Sequence, residues 1–124
     1  MTDDDAKPAA EHSGGIMVTH YDLYGCRLED LESARAEVER ALGIELKAHE
    51  SEFHGGDIYR SGSSARESFL LKRNFDAVES EWFEDKFKEY PILLYVDRTR
   101  RPEEIEKRLE TNGSLFVLLR RKTT

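Results

Sequence analysis

The sequence predicts an α+β fold: a single mixed sheet of about six strands with helices on one face, in the order β-α-β-β-β-α-β-α-β. Three observations carry this. Apolar runs too short for helices, such as Ile92-Leu93-Leu94-Tyr95-Val96 and Leu115-Phe116-Val117-Leu118-Leu119, read as buried strands. Charged stretches with apolar residues three and four apart read as amphipathic helices. Glycine, serine and proline fall at the joints between them.

Residues 1–15 read as a disordered acidic tail, carrying Asp3-Asp4-Asp5 and ending in Ser13-Gly14-Gly15, and residues 16–124 as one α+β domain. The first strand is expected over 16–24, with Met17, Thr19, Tyr21 and Leu23 as its core face and Val18, His20, Asp22 and Tyr24 on the other. Asp30 caps a helix running to about Leu42, whose stripe is Leu31, Ala34, Val38, Ala41 and Leu42, and Gly43 stops it. A strand over 44–53 turns through His54-Gly55-Gly56-Asp57 into a hairpin partner at Ile58-Tyr59-Arg60. After the loop Ser61-Gly62-Ser63-Ser64, residues 68–75 form a fourth strand. In residues 76–90, Val78, Trp82, Phe83, Phe87 and Tyr90 recur at helical spacing, predicting a helix that Pro91 ends.

The closing unit, Tyr90 to Lys122, is the clearest. Pro102 suits a first helical position, Glu103 and Glu104 the positive end of the helix dipole, and Lys107 and Arg108 the negative end. Gly113 supplies the left-handed stop. Its two strands are expected to run parallel in one sheet.

Composition excludes some function classes. The chain has 124 residues, is 36% charged, and carries a net charge of −7, which argues against general affinity for phosphate backbones or anionic membranes and fits a basic partner or plain solubility alike. The charge is uneven: residues 1–90 sum to −10 and residues 91–124 to +3, with Arg100-Arg101 and Arg120-Arg121-Lys122 read as helix-cap and strand-end solvation ahead of a phosphate patch. One cysteine, Cys26, allows neither an intrachain disulfide nor a cysteine zinc site. No run has the ~18–20 apolar residues a bilayer requires. With no signal-peptide pattern at the start, a cytoplasmic location is expected.

Chemistry-bearing residues are sparse. His20, Asp22 and His49 could share a sheet face, but a metal needs three converging ligands. Cys26 reads as a small semi-buried residue rather than a nucleophile, and the serine loop lacks the lysine and context of a P-loop. No catalytic motif stands out, so the reading is non-enzymatic, with no cofactor and no metal.

Two resemblances add to this. VTHYDLYGCRLEDLESARAEVERALGIELKAHESEFHGGDIYR followed by ESFLLKRN resembles one strand-helix-three-strand module of the vicinal oxygen chelate (glyoxalase/bleomycin-resistance) fold, chiefly in its Asp30-Leu31-Glu32-x-Ala34 start and Leu42-Gly43 end. That likeness implies metal ligands from the first and fourth strands. His20 matches the first, whereas the fourth offers Lys72 and Arg73 where a glutamate is expected. It supports an alternative function as a small-molecule or metal-binding glyoxalase-like protein. Over Tyr21 to Lys122 the chain is similar to the immunity proteins of bacterial contact-dependent growth inhibition and related polymorphic toxins, in the stretches YDLYG, HESEFHGGDIYR, FLLKRNF, EWFEDKFKEYPILLYV and EIEKRL. This likeness implies a protein that binds and neutralises a cognate toxin domain, such as a basic nuclease. From the net charge of −7, partners are expected to include neither nucleic acid nor membrane.

Residues 76–90 carry a net −4 around their aromatic stripe. Trp82 and the phenylalanines read as core residues or as interface anchors, core being the commoner role, and acids steer a basic partner in. The partner surface is therefore expected at Glu79, Glu81, Trp82, Glu84 and Asp85, with Glu50, Glu52 and Asp57 of the hairpin as a second contribution.

Overall fold

A computed structural model describes residues 18–51, 54, 56–63, 65–111 and 115–124. The expected tail, the start of the first strand, Glu52 and Gly113 lie outside the described residues.

The architecture is α+β. Six strands form the main sheet: β1 (His20–Cys26), β2 (Lys47–Ser51), β3 (Gly56–Gly62), β4 (Ser68–Arg73), β7 (Ile92–Thr99) and β8 (Phe116–Thr123), in spatial order β2-β3-β4-β7-β1-β8. A two-stranded hairpin of β5 (Phe75–Asp76) and β6 (Glu81–Trp82) stands apart from it. Two helices, α1 (Leu31–Leu42) and α2 (Pro102–Thr111), complete the described elements. Every paired strand in the sheet is antiparallel to its neighbour. The strands flanking α2 do run in the same direction, as expected, but β1 is inserted between them and pairs with both.

Both helices cover one face. The Asp30 carboxylate accepts from the Ser33 backbone N–H at 3.1 Å, and Gly43, at φ 68°, donates its N–H to the Glu39 carbonyl at 2.9 Å, so α1 begins and ends where the sequence indicates. Its stripe of Leu31, Ala34, Val38, Ala41 and Leu42 joins Ile105 and Leu109 of α2 over Tyr24, Cys26, Phe69, Leu71, Ile92, Leu94, Val96 and Phe116 of the sheet. Burial at about 25 cal/mol per Å² makes this apolar layer the main source of stability.

On β1 the expected faces are exchanged. Asp22, Tyr24 and Cys26 look toward the helices, and Tyr21, Leu23 and Gly25 look away. Alternation misleads here because both faces are covered: Leu23 is as buried as Tyr24. Asp22 tolerates its place because Arg121 grips it with two hydrogen bonds, Nε to Oδ1 and Nη2 to Oδ2, each 2.9 Å.

The helix expected over 76–90 does not form. Residues 75–82 make the hairpin β5–β6, and Asp85–Phe87 make a single 3₁₀ turn. Local side chains outcompete the helix for the backbone. Asp76 Oδ1 accepts the N–H groups of Val78 at 2.9 Å and Glu79 at 3.2 Å, and Ser80 turns the chain in the left-handed region at φ 58°. Residues 74–91 become an arm folded over part of the sheet face that the helices leave bare.

Candidate partner-binding surface

Asn74 holds the arm together. It is completely buried, and its amide nitrogen donates to the carbonyls of Glu84 (3.3 Å), Phe87 (3.0 Å) and Tyr90 (3.1 Å). Two amide hydrogens serve three acceptors, so one is shared. The Asn74 Oδ1 accepts the Glu84 N–H at 2.9 Å, and the main chain adds Asn74 N–H to the Pro91 carbonyl (2.8 Å) and Phe83 N–H to the Asn74 carbonyl (2.9 Å). One side chain thus supplies partners for groups spread over a segment that has no regular ladder.

Three contacts fix the arm to the sheet. Tyr90 lies on Gly25, where an added Cβ would sit 2.5 Å from the ring's Cγ. Phe83 stacks over the Lys72 ammonium, 3.6 Å from its ring centroid. The Glu84 carboxylate accepts from the Tyr95 hydroxyl at 2.7 Å and from Arg120 Nη1 and Nη2 at 3.2 and 3.3 Å. Burial acts to raise the Glu84 pKa, but the Tyr95 and Arg120 hydrogen bonds outweigh it and hold the carboxyl below its usual range. Burial lowers the Lys72 pKa despite nearby Glu84 and Asp76.

The arm presents its hairpin to solvent. Phe75 is 41% and Val78 55% exposed, two of the four exposed large apolar side chains among the described residues, with Val18 and Val117 elsewhere. Trp82 is half-buried and meets Phe75 edge to face, with ring centroids 5.2 Å apart. A groove of about 440 Å³ runs beside the pair, lined by Arg73, Lys88, Glu89 and Pro91 together with Glu29 of the β1–α1 connection. Glu79, Glu81 and Asp85 are exposed around the hairpin.

The expected partner residues therefore divide. Glu79, Glu81, Trp82 and Asp85 lie together on the hairpin and its following turn. Glu84 belongs to the same segment but turns inward as a brace, its side chain 19% exposed. Glu50 and Asp57 are exposed and stand directly opposite each other across the β2–β3 ladder, a like-charge pair. Glu52 lies outside the described residues. Phe75, Asn74 and Lys72 are additions that sequence reasoning missed. Asn74 carried a faint signal: with Asp76 it puts two side chains that compete for backbone hydrogen bonds at the start of the supposed helix.

The ligand set of the alternative reading does not gather. His20 and Asp22 are on the helix side of β1, and His20 Nδ1 is 2.9 Å from Thr123 Oγ1. His49 is exposed on the other face, where it lines a separate cleft with Asp97. Lys72 also lies on that other face, under Phe83, and Arg73 lines the hairpin groove. Among the described residues no three His, Cys, Asp or Glu side chains converge. Cys26 is fully buried, and burial pushes its thiol pKa up, away from nucleophilic use. Among the described residues no helix is long and apolar enough to cross a membrane.

No protein-family model matches the chain, and no curated protein matches it in sequence.

Proposed function

We propose that this protein acts by binding another protein, as an immunity protein that neutralises a cognate bacterial toxin domain by direct contact. The observation that carries the reading is the hairpin: Phe75 and Trp82 in contact and exposed or half-exposed, with Val78 exposed at the turn and Glu79, Glu81 and Asp85 exposed in the same segment. Interface hot spots are aromatic side chains that become desolvated against a partner, and the ring of acids selects a basic one. The base is pre-organised by Asn74 and Glu84, so little ordering entropy is lost on binding. A basic nuclease domain is the kind of partner that fits, and a cytoplasmic location goes with that role.

The test is made with the protein domain that the neighbouring reading frame encodes. The protein should bind it and restore growth of cells producing it. The double variant Phe75→Ser, Trp82→Ser, checked for folding by circular dichroism, should lose both. Protection undiminished by that double change would remove the hairpin from the interface, and absence of binding by the wild-type chain would end the proposal.

A further inference from the structure

The positive charge that accumulates after residue 90 gathers partly at the other end of the sheet from the hairpin. A groove of about 640 Å³ lies between the β3–β4 and β7–α2 connections, lined by Thr19, Arg66, Glu67, Arg98, Arg100 and Arg101. Its single carboxylate is committed. Glu67 accepts from Arg101 Nε at 3.0 Å and Nη2 at 2.8 Å, and from the Thr99 hydroxyl at 2.7 Å. Arg101 and Glu67 therefore cancel, leaving Arg66, Arg98 and Arg100.

Arg98 is held in an unusual way. It is a non-glycine residue at φ 55° within β7, at the bulge where the register against β1 shifts between His20 and Asp22. Side chains avoid that region, and such strain persists where the surroundings enforce it. Its guanidinium is clamped, Nε donating to the Arg66 carbonyl at 3.1 Å and Nη2 to Ser68 Oγ at 3.0 Å, while Nη1 makes no hydrogen bond among the described residues. Arg66 and Arg100 are exposed, and their side chains make no hydrogen bond or ion pair among the described residues. Asp97, next to Arg98 in sequence, opens on the neighbouring cleft. A local excess of cations survives in a chain of net charge −7 because acids beyond a Debye length of ~8–10 Å are screened.

We propose that this groove binds a small phosphate-bearing ligand through Arg66, Arg98 and Arg100. Guanidinium forks match phosphate oxygens, and one fork is already fixed before the ligand arrives. The volume lies in the ~300–1,000 Å³ range of small-molecule sites. A nucleic acid fits less well, since one groove with three available cations offers few contacts to an extended phosphate backbone, in a chain whose net charge is −7.

The full chain is titrated with pyrophosphate, with ADP and with a duplex DNA oligonucleotide, by calorimetry and by NMR of arginine Nε–H groups. Saturable binding with shifts at Arg66, Arg98 and Arg100 is expected for pyrophosphate and ADP. Equal affinities identify the phosphate as what is read, and tighter ADP binding adds the nucleoside; either supports the site. The variant Arg66→Gln, Arg100→Gln lies on the surface and should fold normally while binding at least tenfold more weakly. Arg98→Gly relieves the strained conformation and should also bind at least tenfold more weakly. Absence of saturable binding, undiminished binding by either variant, or duplex DNA binding tighter than ADP would overturn the proposal.

Discussion

On the helix side of the sheet, Leu71, Leu94 and Val96 share one apolar cluster with Ala34, Val38 and Ile105, and each of these six is fully buried. On the other side, Gly25 meets Tyr90, Lys72 meets Phe83, and Tyr95 meets Glu84. The first layer is a non-directional hydrophobic contact that tolerates small shifts. The second depends on particular partners: a ring on a glycine, a cation under a ring and a hydroxyl donating to a carboxylate. The two covers should fail differently, the first globally and the second locally.

The largest effect is expected from Leu94→Ala, which opens a cavity in the centre of the helix-side layer and should cost about 2–5 kcal/mol. Urea unfolding should show the midpoint falling for all probes together. Asn74→Ala should cost about 3 kcal/mol, by leaving carbonyls of Glu84, Phe87 and Tyr90 and the Glu84 N–H without their partner. Hydrogen exchange should then accelerate over 74–90 while α1 keeps its protection. Uniform acceleration would mean that the two covers are one cooperative unit. Gly25→Ala should cost roughly 1–3 kcal/mol by pushing Tyr90 off the sheet. Adding Tyr90→Ala in the same chain should recover part of that loss if the clash is the cause.

Acid comes next in size. The Glu84 pKa is held below its ordinary value near 4.5, so its contribution is fully present above that pH and is lost as pH falls through the folded value. Urea midpoints measured from pH 7 downward should fall, and Glu84→Gln should flatten part of the slope. Lys72 acts at the other extreme. Its folded pKa lies below the usual 10.5, so the unfolded chain holds the proton more tightly and stability rises with pH between those two values. The smallest effect on the fold is expected from Phe75→Ser alone, within about 1 kcal/mol, because the ring is already substantially exposed.

What the sequence made legible follows the same division. The stripe of α1, its Asp30 and Gly43 boundaries, Pro102 at the start of α2 and the buried strand β7 all belong to the helix side, where one residue's period reports one interface. The arm was misread because Val78, Trp82, Phe83, Phe87 and Tyr90 are spaced as a helix would space them, though side chains of Asn74 and Asp76 take the backbone groups a helix needs. Apolar spacing does not record which polar atoms compete. For the candidate surface, the segment was legible but the roles within it were not. Glu79, Glu81 and Asp85 face solvent as expected. Glu84 is indistinguishable from them in sequence, since its partners Tyr95 and Arg120 are far along the chain. Gly25 did carry a readable sign: a glycine inside a strand marks a close approach.

The place of β1 has a consequence for how the protein is made. It precedes every other strand described, yet both its neighbours in the sheet, β7 and β8, come at the far end of the chain, with His20 bonded to Thr123 across 103 residues. During synthesis β2, β3 and β4 can form their meander as soon as they emerge. β1 has no partner until β7 arrives, and its second edge stays open until β8 does. Closing so long a loop is slow. Until then the nascent chain carries β1 unpaired, an interval in which chaperone protection of residues 20–26 would matter most.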